Sequence, residues 1–116
     1  MANTIGSPTV VRQREQFQAI FTDMWTVKAT ISDQDSVSAT DTVRFSLTVP
    51  GVLLGDIVIG ISATNDLSDG TDQCILSGYV SASNTVVVQV TADVGAYAAD
   101  DLNDAVIRMV IGRPKF

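Results

Sequence analysis

Aspartate is the residue type whose spacing in this chain first suggests chemistry. Two groups of three occupy polar stretches: Asp66, Asp69 and Asp72, and then Asp100, Asp101 and Asp104. Hard cations such as calcium take several oxygen ligands, which carboxylates on a loop supply. Neither spacing matches the calcium loop in which aspartates alternate with other residues before a glycine and a distal glutamate. Because aspartate is also common in ordinary loops, we favour solvated loops and expect no metal site and no cofactor.

Paired carboxylates also perform glycoside hydrolysis without histidine, so a small hydrolase is one alternative. Few side chains could both stack on a sugar and hydrogen-bond to it, namely Trp25, Tyr79 and Tyr97. The chain has no histidine and one cysteine, Cys74. This composition excludes a Ser-His-Asp triad, a Cys-His pair, a His-ligated metal and an intrachain disulfide. We predict that the protein is not an enzyme, that it has no catalytic residue, and that Cys74 is a small buried hydrophobe.

The charge of the chain limits its partners. Seven Lys and Arg against thirteen Asp and Glu give a formal net charge of -6, whereas phosphate binding needs clustered positive charge. We therefore expect no nucleic-acid partner. No signal sequence and no long apolar run is present, so we expect no membrane partner and synthesis in a cytoplasm. Arg12, Arg14, Arg113 and Lys115 place positive charge near both ends, either as solubilising charge or to meet an acidic partner surface.

The elements that position these residues centre on a turn at residues 50–56. Pro50 cannot donate to a strand ladder, and Gly51 and Gly55 permit backbone angles that other residues avoid. Asp56 is expected to accept hydrogen bonds from exposed amides of the turn. The pattern predicts a bounded connection between two strands.

Hydrophobic periodicity predicts six strands. Trp25, Val27, Ala29 and Ile31 alternate with polar residues, and a one-residue slip of the next strand would place Arg44 in the core. The predicted strands cover residues 25–32, 43–49, 57–61, 73–80, 85–91 and 105–111, with a hairpin between the fourth and fifth. Strands without intervening helices predict an all-β fold, an antiparallel β-sandwich of the jelly-roll-like or Ig-like kind over residues 24–116.

Residues 1–23 are predicted to form an N-terminal arm, with a short helix as one alternative. Ser7 and Pro8 suit the first positions of a helix. One helical stripe would collect Val10, Phe17, Ile20, Phe21 and Met24. Such a stripe either covers an open end of the core or docks on a neighbouring subunit, and both interpretations stay open.

Three predicted strands, at residues 57–61, 86–90 and 105–111, are apolar on both faces. A small two-layer sandwich with solvated outer faces does not require this, so the arm, the loops or other subunits must cover them. A homo-oligomer is therefore expected.

Two segments of the chain resemble a known group of proteins. The segments are TVPGVLLGD at residues 48–56 and SGYVSASNTV at residues 77–86. They are similar to small virion structural proteins of tailed bacteriophages with the pattern VPG-x-x-x-GD followed by YVSA-x-NTV, and the resemblance covers about residues 41–111. It implies a β-sandwich module of the virion, most simply a capsid decoration (cement) protein on the outer surface of the head.

The resemblance also implies partners and a location. The expected partners are the major capsid protein and further copies of the chain, with a homotrimer favoured over a dimer, and the expected location is the outer capsid surface. The arm and the C-terminus are expected to contact the capsid or a neighbouring subunit through Arg12, Arg14, Phe17, Ile20, Phe21, Trp25, Arg113 and Phe116. The alternative is a receptor- or carbohydrate-binding module of a phage tail or head fibre, with an exposed aromatic patch around Tyr79 and Tyr97.

Overall fold

The structure is a computed structural model that describes residues 3–13, 20–34, 41–67, 73–92 and 102–115. Within these residues the chain forms eight β-strands and no helix. The strands are β1 (Thr4–Ile5), β2 (Thr9–Gln13), β3 (Phe21–Asp33), β4 (Thr42–Thr48), β5 (Ile57–Ala63), β6 (Cys74–Ala82), β7 (Thr85–Ala92) and β8 (Val106–Pro114).

The strands form two antiparallel sheets. The larger sheet has the order β1-β3-β8-β5, and β2 pairs with β3 on the edge away from β8. The smaller sheet has the order β4-β7-β6. The predicted all-β antiparallel sandwich is confirmed, and the six predicted strands correspond to β3 through β8.

Alternation of apolar and polar residues explains the register of both sheets. In β3 the side chains of Trp25, Val27, Ala29 and Ile31 are all buried, and the residues between them from Thr26 to Thr30 are exposed. In β4 the same period buries Phe45 and Leu47 and exposes Arg44, as expected. The buried faces of the two sheets meet in one hydrophobic core.

Close approach of the sheets depends on a glycine in β6. A Cβ atom at Gly78 would lie 3.3 Å from the sulfur of Met109 and 3.6 Å from a methyl carbon of Val58, both on the larger sheet. Gly78 therefore lets β6 pack against β8 and β5. Cys74, at the start of the same strand, is buried, as predicted.

The turn and the hairpin are also confirmed, and they contact each other. Gly51 and Gly55 have φ angles of 97° and 98°, and Asn84 in the β6–β7 hairpin has a φ of 63°. Asn84 accepts a hydrogen bond from Val49 N–H through its carbonyl and donates one to the carbonyl of Val52, both at 2.9 Å. Its side-chain oxygen accepts a third from Gly51 N–H at 2.8 Å. The segments at residues 48–56 and 77–86 are thus neighbours in space.

The predicted N-terminal helix is wrong wherever the structure describes it. Thr9–Gln13 is strand β2, and β3 already begins at Phe21. Residues 14–19, including Phe17, lie outside the described residues. The physical reason is the free edge of the long strand β3, whose backbone donors and acceptors β2 satisfies over five paired positions. Val10 faces the core in this arrangement, and the division between residues 23 and 24 stays a prediction.

Candidate interaction surface

Strand register places two arginines beside the only tryptophan. Arg12 in β2 is paired with Trp25 in β3, while Arg113 in β8 is paired with Asp23, two residues earlier in β3. Because side chains alternate along a strand, all four project from the same face of the larger sheet. The guanidinium carbons lie 5.0 Å (Arg12) and 5.2 Å (Arg113) from the centroid of the Trp25 ring. Both arginines therefore make cation–π contacts with one fully buried ring.

Each of these arginines also binds a carboxylate through two hydrogen bonds. Arg12 donates from Nε and Nη2 to the two oxygens of Asp23, at 3.1 and 2.6 Å. Arg113 donates from Nε and Nη2 to the two oxygens of Asp56, both at 3.0 Å. The side chains of Asp23 and Asp56 are only 10% and 4% exposed, so the paired guanidinium groups compensate nearly buried charges.

The same cluster fastens the turn at residues 50–56 to the sheet. Arg113 Nη2 donates to the carbonyl of Gly51 at 2.8 Å, and Trp25 Nε1 donates to the carbonyl of Pro50 at 3.2 Å. The Asp56 carboxylate also accepts a hydrogen bond from the N–H of Leu53 at 2.9 Å, which confirms its predicted role in the turn. We call Arg12, Asp23, Trp25, Asp56 and Arg113 the Arg-Trp-Arg cluster.

Asp56 has an electrostatic effect on Arg113. Its hydrogen bond raises the pKa of the Arg113 guanidinium above the ordinary value for arginine, against the opposing effect of burial. A raised pKa means that the folded state favours the charged form. Titration of Arg113 itself therefore removes none of this stabilisation at a pH below the ordinary pKa of arginine, and removes it only as the pH rises above that value.

Aliphatic side chains are exposed beside this cluster. We call Ile20, Leu53, Leu54, Ile57 and Ile59 the apolar end; their exposed fractions are 55, 48, 70, 41 and 48% respectively. The five belong to segments that meet the last residues of β8. The carbonyl of Ile20 accepts a hydrogen bond from Lys115 N–H, Ile57 is paired with Gly112, and the two leucines lie in the turn that Arg113 holds.

Gly112 determines how Ile59 of the apolar end and the neighbouring Phe21 pack. A Cβ atom there would lie 2.7 Å from a ring carbon of Phe21 and 3.0 Å from Cδ1 of Ile59. The glycine therefore leaves room on the outer face of β8 for Phe21 and Ile59, one from each neighbouring strand. Phe21 is half-buried by this packing, whereas Ile59 keeps about half of its surface exposed.

The structure brings together some of the residues predicted to contact a partner. Arg12, Trp25 and Arg113 form one cluster, and Ile20 and Phe21 lie at the same end of the larger sheet. Both arginines contact carboxylates of their own chain, and Trp25 is fully buried. Their contact with a partner stays a prediction. Arg14, Phe17 and Phe116 lie outside the described residues.

Sequence reasoning missed the carboxylate of Asp23 and the exposure of Leu53 and Leu54. No local pattern indicates a role for Asp23, because its partners Arg12 and Arg113 lie on the two strands that flank β3. The available signal for the apolar end was the pair Leu53 and Leu54 in a turn, where polar residues are usual. The apolar run that starts at Ile57 does indicate a face that needs covering, and β5 is an edge strand of the larger sheet.

Neither a metal centre nor a membrane-crossing helix occurs in the part of the chain that the structure describes. There, no group of three acidic or cysteine side chains could hold a metal ion. Asp69, Asp72, Asp100 and Asp101 of the two predicted acidic groups lie outside that part. No helix long and apolar enough to cross a membrane is found among the described residues.

Comparisons with known proteins give no match. No family model, no curated protein and no solved structure matches this chain.

Proposed function

We propose that this protein is a bacteriophage capsid decoration (cement) protein, which binds the outer surface of the head and stabilises joints between major capsid protein subunits. The observation that carries the proposal is the apolar end. Five of the eight large hydrophobic side chains that are exposed among the described residues lie there. Concentrated exposed apolar side chains mark a surface that binds another protein. The resemblance of residues 48–56 and 77–86 to virion proteins indicates that this other protein is the major capsid protein.

A cement protein works by adding buried area across the joints of a shell. The binding free energy comes mainly from apolar area removed from water, reduced by the cost of ordering mobile groups. The Arg-Trp-Arg cluster lowers that cost. Arg113 and Trp25 hold the turn that carries Leu53 and Leu54 in place before any partner binds. The apolar end is thus a preorganised contact surface.

The proposal includes self-association. β5 exposes Ile57 and Ile59 at one edge of the larger sheet, and no other described strand pairs with that edge. A second copy thus finds both an apolar surface and a strand edge to pair with. A homotrimer on the capsid surface is favoured over a dimer by the resemblance. Light scattering at micromolar protein concentration tests this part separately from capsid binding, because a purely monomeric mass contradicts self-association in solution.

Co-sedimentation with purified capsids of the encoding phage tests the function. We expect the wild-type protein to sediment with capsids, and the triple variant Leu54→Ser, Ile57→Ser, Ile59→Ser to stay in the supernatant. The matched control is Ile75→Ser, because Ile75 is 59% exposed on the smaller sheet, outside the apolar end. Circular dichroism on each variant verifies the fold. A wild-type protein that fails to sediment, or a triple variant that binds as well as wild type, contradicts the proposal.

A carbohydrate- or receptor-binding module of a phage tail or head fibre is the second candidate, and one observation favours it. Tyr79 is 40% exposed on the outer face of the smaller sheet, with Ser77 and Ser81 on the same strand face. An aromatic ring beside hydroxyl groups suits sugar binding. A glycan array distinguishes the candidates: binding that Tyr79→Ala abolishes, together with no capsid binding, favours this module.

A further inference from the structure

The outer face of the larger sheet carries two neighbouring rows of side chains. Strand pairing aligns Thr9, Lys28 and Arg108 in one row, on β2, β3 and β8. The adjacent row contains Val11, Thr26 and Val110 on the same three strands. These residues face away from the core, since the residues that alternate with them in β3 and β8, such as Val27 and Met109, are buried.

The first row places two cations directly opposite each other. Lys28 and Arg108 are cross-strand partners, and both are exposed. Like charges in this arrangement destabilise a sheet. Among the described residues neither side chain forms an ion pair, although Arg12 and Arg113 on the other face are both paired with carboxylates. No carboxylate in the described part of the chain therefore offsets the repulsion between these two positive charges.

The second row is apolar at both of its ends. Val11 is 48% exposed, and Val110 is half-buried. A groove with a volume of about 350 Å³ runs over this face, and its lining includes all six residues of the two rows. The groove therefore combines a cationic site with an aliphatic site one row away.

We propose that this groove binds an acidic, extended segment of another protein. A carboxylate of the segment lies between Lys28 and Arg108, and an aliphatic side chain two residues along the segment lies against Val11 and Val110. Rows on one face of a sheet are about 7 Å apart, which is also the spacing of residues i and i+2 in an extended chain. The recognised pattern is therefore Asp or Glu, any residue, then a β-branched or other aliphatic residue.

Charge complementarity is what selects this occupant. A carboxylate placed between two opposed cations removes their repulsion and forms charge-assisted hydrogen bonds with both. A nucleic acid would also bring negative charge, but it would have to approach a chain whose net charge is -6, and one row of two cations neutralises few phosphates. The inference does not depend on the proposed role in a virion, because it concerns a different surface and a different partner.

A binding experiment with a defined peptide tests the inference. The probe is a capped peptide of Glu-Thr-Val-Thr repeats, titrated at low salt into isotope-labelled protein and followed by backbone amide shifts. We expect the largest shifts at Val11, Lys28 and Arg108 and at their neighbours in the two rows. A matching peptide of Gln-Thr-Val-Thr repeats, without charge, is expected to bind much more weakly.

Charge-removing variants locate the carboxylate site. The double variant Lys28→Gln, Arg108→Gln is expected to bind the acidic peptide about tenfold more weakly, with an unchanged amide spectrum elsewhere. The control is Arg44→Gln, because Arg44 is exposed on the smaller sheet, and this variant is expected to bind like wild type.

Several outcomes overturn the inference. They are amide shifts outside the groove, equal affinity for the charged and the uncharged peptide, and equal weakening of binding by Arg44→Gln. Displacement of the bound peptide by polyuridylate, at a concentration lower than that of the peptide, also overturns it. Self-association of the free protein that the Lys28→Gln, Arg108→Gln variant loses also overturns it, in favour of a second copy as the occupant.

Discussion

The guanidinium group of Arg113 lies over the ring of Trp25, with its central carbon 5.2 Å from the ring centroid. Arg113 belongs to the last strand of the chain and Trp25 to the first long one. Through its bonds to Gly51 and Asp56 the same guanidinium also holds the turn between β4 and β5. One side chain thus joins three segments that are far apart in sequence, and its removal has consequences for all three.

Replacing Arg113 by alanine is expected to lower the free energy of unfolding by about 2 to 3 kcal/mol. The variant leaves the Asp56 carboxylate, which is 4% exposed, without its bidentate partner. We place the cost at the low end for buried pairs, because 26% of the Arg113 side chain is exposed. Guanidinium chloride unfolding followed by circular dichroism measures it. Arg44→Ala is the control and is expected to change stability by less than about 0.5 kcal/mol.

The pH dependence of Arg113→Lys tests the electrostatic part of this argument. The Asp56 bond raises the pKa of Arg113, so wild-type stability through this group is lost only as the pH rises above the ordinary range of arginine. A lysine has an ordinary pKa of about 10.4, so the variant is expected to lose stability relative to wild type above about pH 10. If the free energies of unfolding of the two proteins change equally with pH between about pH 9 and 11, the role of the ion pair is contradicted.

Gly51→Ala is expected to destabilise the protein more than Gly55→Ala. Both positions have φ near 98°, where a Cβ atom is strained, at a cost of about 1 to 2 kcal/mol. At Gly55 the new atom would meet nothing within 4 Å, whereas at Gly51 it would lie 2.9 Å from Nη1 of Arg12. Arg12 cannot move away freely, because Asp23 and Trp25 both hold its guanidinium.

A double-mutant cycle isolates the clash at Gly51. In an Arg12→Ala background, Gly51→Ala and Gly55→Ala are expected to cost the same, since the obstructing group is gone. Thermal unfolding of the four variants and the two parents provides the comparison. An extra cost at Gly51 that persists without Arg12 shows that the backbone, not the arginine, is responsible.

Trp25→Phe is expected to cost about 2 kcal/mol. The smaller ring leaves the Pro50 carbonyl without its donor, weakens both cation–π contacts and creates a cavity beside a fully buried position. Tyr79→Phe, at an exposed ring, is the matched control and is expected to be nearly neutral. Because Trp25 is the single tryptophan, its fluorescence reports this site alone. In the wild-type protein we expect the native tryptophan emission to be blue-shifted and protected from quenching by acrylamide. On unfolding, this emission is expected to shift to the red.

Arg108→Glu is expected to stabilise the protein by a few tenths of a kcal/mol to about 1 kcal/mol. The change converts the opposed like charges of Lys28 and Arg108 into an opposite-charge cross-strand pair. Differential scanning calorimetry at low and high salt measures the gain, which is expected to shrink as salt screens exposed charges. In the Lys28→Glu, Arg108→Glu variant, two opposed carboxylates restore the repulsion, so the gain is expected to disappear. A gain that survives in the double variant contradicts this origin.

The strands from residue 25 onward were predictable because burial there follows a local period. Phe45 and Leu47 are apolar at every second position, and turn residues mark where each strand ends. The N-terminal segment was not predictable in the same way. By spacing alone, five apolar residues fall on one helical stripe. Thr9–Gln13 is nevertheless a strand, because it pairs with the edge of β3. Local sequence does not contain that tertiary requirement.

The Arg-Trp-Arg cluster shows the same limit at the level of a site. Composition identified Arg12 and Arg113 as positive charge near the two chain ends, and the turn identified Asp56. Nothing in the spacing indicates that Trp25 lies between the arginines, because that depends on the register of β2 and β8 against β3. A charge pattern predicts which residues need partners, whereas strand register determines which partners they meet.

The order of strands in the larger sheet has a consequence for synthesis. β8 lies between β3 and β5 and joins them, and it is the last of these eight strands in sequence, so it emerges from the ribosome after the other seven. Until Val106–Pro114 has emerged, β3 and β5 have no common neighbour, whereas β4, β6 and β7 are already available to pair. The smaller sheet is therefore expected to form earlier in translation, and the larger sheet only after β8 has emerged. A nascent chain stalled before residue 106 is expected to expose the apolar face of β3 to chaperones.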